Sequence, residues 1–495
     1  MLTIDDLSDD DLLAIFDFYV VRYQDLDLLE MVFSDQDTKR KIESWQSLVH
    51  VCRRWRCLVF GSPRRLNLQL YYDSGRSAKK TLDVWPAMPL LIKGHIHETS
   101  VDYVIAELEH NDRVCQIDLK CHTIMQIGKL WTAMQVPFPE LASLRLSLRG
   151  FSHVPVLPDS FLGGSAPRLR YFALAAVPFP RLPNLLLSAT HLVYLLLRRI
   201  PHSGYISPEA MATCLSMLTG LESLQLEFES PQSCPDQEGR RSPSLTRCVL
   251  PALTIFWFKG VTEYLEELVV RIDTPRLYQL SATFFNDIEF DIPELIRLVS
   301  HSSGSTFKAP NEAHVFFDSQ TASVKLQPQA SNVEYFEVRI SCREPDWQLS
   351  SLAQICATSL PLLSATENLF IYEPVNSQLD WKDEIENIDW LELLLPFTAV
   401  KNIYLSKQFA PRIVPALQDI SRGETTEVLS ALQNLYLEGF QPSESVEEGI
   451  ERFISARQLT NRAIAISVWD RDLMRVQHKS EEVDDRLLAS LAIIG

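Results

Sequence analysis

The residues that could do chemistry are few and poorly matched. His95 and His97 in "GHIH" stand two apart, a spacing that would put both imidazoles on one side of a strand, where they could hold a metal ion. No cysteine or carboxylate at a matching interval completes the ligand set, so a surface loop is the expected setting and no metal is assigned. "DWKDEIENIDWLELLLPF", residues 380–397, concentrates the carboxylates that acid/base catalysis uses. Ile385, Ile388, Leu391 and Leu395 recur there at helical intervals, however, which predicts an amphipathic helix with a wet acidic side. The chain has 16 glycines and no phosphate loop, dinucleotide loop or Gly-x-Ser-x-Gly elbow. We therefore expect no catalytic residues, no cofactor and no enzyme activity.

The nine cysteines are scattered, with no CxxC pair. That usage fits reduced thiols, most of them small core residues, in a cytoplasmic or nuclear protein. The acidic N-terminus lacks the charge pattern of a secretory signal, and no apolar run is long enough to span a bilayer. A basic stretch, "LVHVCRRWRCLVFGSPRRLNLQL" (48–70), stands against a formal net charge of -18. No further basic cluster follows it in the next eighty or so residues, and the overall field repels phosphate, so neither nucleic acid nor membrane is an expected partner.

The elements that hold these residues are legible in outline. Residues 4–19 read as a helix capped by Ser8 or Asp9, with Leu12, Leu13, Ile15, Phe16 and Tyr19 as its apolar face. A second helix is predicted over 44–60, with Trp45, Leu48, Val51, Cys52, Trp55 and Val59 at intervals of three or four; Gly61 and Pro63 end it. Arg53, Arg54 and Arg56 fall mainly on the other side, free to pair with the acidic N-terminal stretch, and Arg64 and Arg65 are expected to do the same.

From Val114 a template recurs: an apolar residue, two others, an apolar residue, one other, an apolar residue. It starts at Val114, Leu141, Leu169, Leu192, Leu221, Leu253, Val333, Val400 and Leu432, more weakly at Leu277, and in part near Leu369. The first starts are 27, 28, 23 and 29 residues apart, the period of a leucine-rich-repeat array with one strand per unit. Helices fill the intervals: Ser207 and Pro208 open one whose buried face is Met211, Cys214, Leu215 and Leu218, and Ser445 to Glu448 is a capping-box spacing before Ile450, Phe453 and Ile454. Residues 230–245 read as a loop, and "AHVFFDSQTASVKL" reads as a hairpin that interrupts the array. The usual Asn or Cys after each repeat strand, which satisfies backbone at the turn, is missing.

"LSDDDLLAIFDFY" followed by "WQSLVHVCRRWRCLVF" resembles an F-box, and the continuation "GSPRRLNLQL" and "LDVWPAMPL" is similar to the large F-box family of mushroom-forming fungi, whose members carry irregular leucine-rich repeats. The resemblance implies docking on a Skp adaptor, and through it a cullin, by Leu7, Ser8, Leu12, Leu13, Ile15 and Phe16 of the first helix and Val51, Cys52 and Trp55 of the second. Ser8 replaces the family's usual proline, and the interval 20–44 is longer than in a compact F-box.

The resulting expectation is an α/β protein: an F-box-like helical domain over 1–66, a linker and capping region over 67–113, an irregular leucine-rich-repeat solenoid with a parallel curved sheet over 114–470, and a C-terminal tail over 471–495. Its implied role is the non-catalytic substrate-recognition subunit of an SCF-type ubiquitin ligase, with an unknown target protein on the repeat surface. The alternative is a repeat scaffold whose degenerate box binds no adaptor.

Overall fold

The computed structural model describes residues 4–19, 43–63, 65–66, 68–73, 88–122, 127–148, 154–179, 184–233, 247–285, 292–302, 310–328, 335–342, 345–359, 361–373, 387–422, 428–438, 444–459 and 462–469. The inter-helix interval 20–42, Arg64, Cys234, most of the loop 230–245, Val333, Ile385, the side chains of Ile388 and Ser445, and the tail after 469 lie outside the described residues. The protein is α/β and divides into two compact units, Met1–Ile206 with Met217–Leu221, and Ser207–Ser216 with Glu222–Gly495.

In the first unit, helices α1 (Asp9–Tyr19), α2 (Gln46–Val49) and α3 (Arg53–Gly61) precede strands β1 (Leu70–Asp73), β2 (Leu90–Ile96), β3 (Val114–Cys121), β4 (Ser143–Leu148), β5 (Tyr171–Ala175) and β6 (Tyr194–Ile200). The six strands lie in chain order and all are parallel. Parallel neighbours need a crossover, and helices α4 (Val101–Leu108), α5 (Ile127–Ala133) and α6 (Asn184–Ser188) lie in three of these connections. The parallel array thus starts within 67–113, before the first template. Leu90, Leu91 and Ile92 are buried on both faces of β2, which erases the alternation that would mark a half-exposed strand.

From Leu141 to Leu277, and again at Leu432, the leading leucine of the template sits in the turn before its strand and the next two apolar residues are buried, whereas Val114 lies within β3. Leu141, Leu169, Leu192 and Leu221 each donate their N–H to the carbonyl three residues back, at 3.2, 3.1, 3.0 and 3.0 Å. Leu253, Leu277 and Leu432 of the second unit repeat the bond. Adjacent turns are joined as well: Arg170 and Tyr171 both donate to the Ala142 carbonyl, Val193 and Tyr194 both to Arg170. Backbone at the turns is thereby satisfied without the missing Asn or Cys side chains.

The second unit begins with α7 (Pro208–Leu215), whose cap is as expected: the Ser207 hydroxyl accepts from Ala210 N–H at 3.3 Å, and Met211, Cys214 and Leu215 are buried. Strands β7 (Ser223–Phe228), β9 (Ile255–Gly260), β11 (Gln279–Phe285), β14 (Tyr335–Ser341), β13 (Thr321–Gln327), β12 (Glu312–Phe317), β15 (Asn368–Tyr372), β16 (Asn402–Leu405), β17 (Asn434–Glu438) and β18 (Ala465–Trp469) follow one another across its sheet, with β8 (Cys248–Val249) and β10 (Ile272–Asp273) forming a separate short pair. All pair in parallel except β13, which is antiparallel to both β14 and β12. The predicted hairpin is therefore present and built into the sheet. Asp318 makes its turn, accepting from the N–H groups of Gln320 and Thr321 at 2.7 Å each.

The crossing helices of this unit are α8 (Thr262–Arg271), α9 (Pro293–Ser302), α10 (Pro345–Ser359), α11 (Asn387–Leu394), α12 (Ala410–Arg422) and α13 (Glu444–Leu459). Helix α11 is turned from the expected face: Trp390, Leu393 and Leu394 are buried, whereas Leu391 is half-buried and Leu395 exposed. The bulk of Trp390 against Phe317 and Phe409, with centroids 6.0 and 5.7 Å away, decides the rotation.

Candidate functional site

The N-terminal helices form one braced cluster. Ser8 caps α1 reciprocally with Asp11: its hydroxyl accepts from Asp11 N–H at 3.2 Å, and its own N–H and hydroxyl donate to the Asp11 carboxylate. The Ser8 hydroxyl and N–H hold the Asp11 carboxyl below the usual carboxylate range. Arg54 of α3 donates to Asp9 at 2.7 and 3.1 Å and to the Leu7 carbonyl at 2.7 Å, and Arg65 reaches Asp10 at 2.9 Å. Leu12, Leu13 and Phe16 are buried, with Trp55 half-buried against Phe16.

The second helix is not continuous. It breaks at His50–Cys52, where Cys52 turns extended (φ -155°, ψ 171°) and its sulfur accepts from Trp55 N–H at 3.5 Å. Arg56 Nε donates to the Val49 carbonyl at 3.0 Å, satisfying the end of α2 in place of a further helical turn. Val51 and Cys52, expected on the buried face, are exposed as a result.

The nine residues singled out from the resemblance therefore separate. Leu12, Leu13 and Phe16 are core; Leu7 and Trp55 are half-buried; Ser8, Ile15, Val51 and Cys52 are exposed. Outside that set, Phe18 is 93% exposed and Tyr19 48%; with Ile15 at 47% they form a stripe at helical spacing on α1. Phe18 had a signal, since an aromatic beside a buried face that is already complete has no core to enter.

The sheets supply two further faces. The template leucines turn inward, and the alternate positions, some buried and some exposed, lie on the opposite side. In the second unit His314, Phe370, Tyr404 and Tyr436 stand in register on β12, β15, β16 and β17, with centroids 4.6, 4.3 and 4.4 Å apart and planes within 10°. Burial, then Tyr436 and Glu312, pushes the Tyr404 hydroxyl up to about 12. Beside the rings runs an amide ladder: Asn434 donates to Asn402 and Asn402 to Asn368, at 2.7 Å each. The triplet Asn-Leu/Ile-Phe/Tyr at 368, 402 and 434 carries both ladders and was readable in the sequence.

In the first unit His95 lies in strand β2, not in a loop, and His97 directly follows it. Both stack with His122, which follows β3, at centroid distances of 5.1 and 5.2 Å, and His95 Nδ1 is 2.8 Å from His122 Nε2. Among the described residues no three His, Cys, Asp or Glu side chains are arranged to hold a metal ion, and no helix is long and apolar enough to cross a membrane.

Three thiols are pushed away from reactivity: burial raises the half-buried Cys115 and the buried Cys121 to about 12, and the buried Cys214 to about 11. On the helical side Arg271, itself buried, donates to Glu209 at 2.8 Å and Glu267 at 2.9 Å. Burial, then the neighbouring Glu209, raises the Glu267 carboxyl. This cluster ties α7 to α8.

No protein-family model matches the chain, and no curated protein matches it.

Proposed function

We propose that the chain is a non-catalytic substrate-recognition subunit of an SCF-type cullin-RING ubiquitin ligase in the cytoplasm or nucleus. Its N-terminal helices are an F-box that docks on a Skp adaptor, and the strand-and-helix array is an irregular leucine-rich-repeat domain whose open sheet faces receive a target protein. Two attachment surfaces on one chain raise the target's effective concentration beside the ligase. The observation that carries the reading is the apolar stripe Ile15, Phe18 and Tyr19, held outward by a helix that Arg54–Asp9 and Phe16–Trp55 brace from behind. Exposed large apolar groups on a rigid helix are the usual mark of a docking surface.

A second reading, a scaffold without adaptor binding, is favoured by the complete burial of Leu12 and Phe16, which shows the helices also serving the chain's own core. Co-purification with a Skp adaptor decides between them. Wild type should bind, and Ile15→Asp/Phe18→Asp should not, with both folded by thermal melting. A folded wild type that does not bind leaves the scaffold. Leu12 is unsuited to this experiment because an aspartate there would unfold the cluster.

A further inference from the structure

On the positions of β2–β6 that alternate with the inward-turned template residues stand four cations, Lys93, Lys120, Arg145 and Arg198, against one carboxylate, Asp118. On a chain of formal net charge -18 this is a local reversal of sign. In the inner row Lys93 and Asp118 are buried, and Arg145 lies 3.8 Å from Asp118. The other two cations, Lys120 and the exposed Arg198, stand toward the C-terminal ends of their strands. His95, Lys120, Ser147, Ala175 and Arg198 share one register row there, and His97 and His122 follow directly.

Arg199 stands at the same edge. Its φ of 49° is in the left-handed region, where residues other than glycine are strained. Its guanidinium donates to the Leu148 carbonyl at the end of β4 at 3.0 Å, reaching past β5. Ala176, one strand earlier, has the same bend at φ 57°, and its N–H donates to the Arg198 carbonyl at 2.8 Å. The strained backbone thus fixes where Arg198 and Arg199 present their charge.

We propose that this edge binds a short acidic peptide segment of a target protein, its Asp and Glu carboxylates meeting Lys120, Arg198 and Arg199 with the three histidines alongside. Lys120 and Arg198 are three strands apart, roughly 14 Å, the span of about four extended residues, and the small Ser147 and Ala175 between them leave room. A nucleic acid fits less well, since the field of the whole chain repels a long polyphosphate while a short acidic segment feels mainly the local patch. The inference rests on the reading that the sheet face receives the target.

The test uses the full chain, a fluorescein-labelled octaglutamate peptide, an octaserine control and an oligothymidylate of the same length. Wild type should bind octaglutamate, more weakly as salt is raised. Lys120→Glu/Arg198→Glu should weaken it about tenfold or more, whereas Lys401→Glu in the second unit should not. Lys120→Gln/Arg198→Gln serves if the reversed pair does not fold. Equal binding by the double variant, equal binding of octaserine, or tighter binding of oligothymidylate overturns the proposal. Adaptor co-purification on the same samples keeps the two ideas apart: adaptor binding without peptide binding ends this inference alone, and the converse ends the ligase reading alone.

Discussion

The ring of Phe16 lies 4.7 Å from that of Trp55 at an interplanar angle of 59°. This contact, between the buried face of α1 and the half-buried side of α3, is the apolar joint of the N-terminal cluster. The ion pair of Arg54 with Asp9 lies at the exposed rim of the same joint. Burial of Phe16 carries more of the stability than the ion pair, because exposed pairs are worth at most about 1 kcal/mol. Trp55→Ala should cost about 2 kcal/mol, less than a fully buried tryptophan would. Arg54→Ala should cost less than half of that, by chemical denaturation. A larger loss in Arg54→Ala than in Trp55→Ala would reverse this order.

In the second unit Asn402 is the middle rung of the amide ladder, donating to Asn368 and accepting from Asn434. Asn402→Ala removes both bonds and should cost about 2 kcal/mol at roughly 1 kcal/mol each. Asn434→Ala removes one of the two and should cost about half. Denaturation midpoints measure both, and equal losses would show that the ladder does not act through these bonds.

Gly260 closes β9 where a Cβ would fall 2.6 Å from the Phe258 ring and 2.9 Å from that of Phe228. Both rings are buried, and Tyr264 packs on Phe228 at 4.7 Å, so neither moves freely. Gly260→Ala should destabilise by about 1–3 kcal/mol through overpacking. An unchanged melting temperature would mean that the rings yield.

The Glu209–Glu267–Arg271 cluster makes a pH prediction. Glu267 is raised in the folded chain, by burial and then by Glu209, so its folded form holds the proton to higher pH than the unfolded chain does. Its contribution is complete below the ordinary glutamate range and is lost as pH rises through the folded value. Glu267→Gln cannot ionise, so the difference in melting temperature, variant minus wild type, should grow from pH 4.5 to pH 7.5. A difference that stays constant or shrinks over that window would show that Glu267 is not raised.

What the sequence determined by itself was whatever repeats locally. The leucines of the recurring template, from Leu141 to Leu432, specify both the turn before each strand and its buried side, because a period-two strand can hide only alternate residues. The Ser207–Pro208 helix start and the turn at Asp318 were equally legible, since caps and turns depend on a few adjacent residues. Other features were decided only when distant segments met. The first four residues of strand β2, Leu90–Lys93, are buried whichever face they occupy and so show no alternation. The break at Val51–Cys52 depends on Arg56 reaching the Val49 carbonyl, and the face of α11 on Phe317 and Phe409 meeting Trp390. His122 joins His95 and His97 from another strand end, and Arg198 joins Lys120 across three strands. Residues far apart in the chain become neighbours through strand order and register alone, and neither has a local period to announce it.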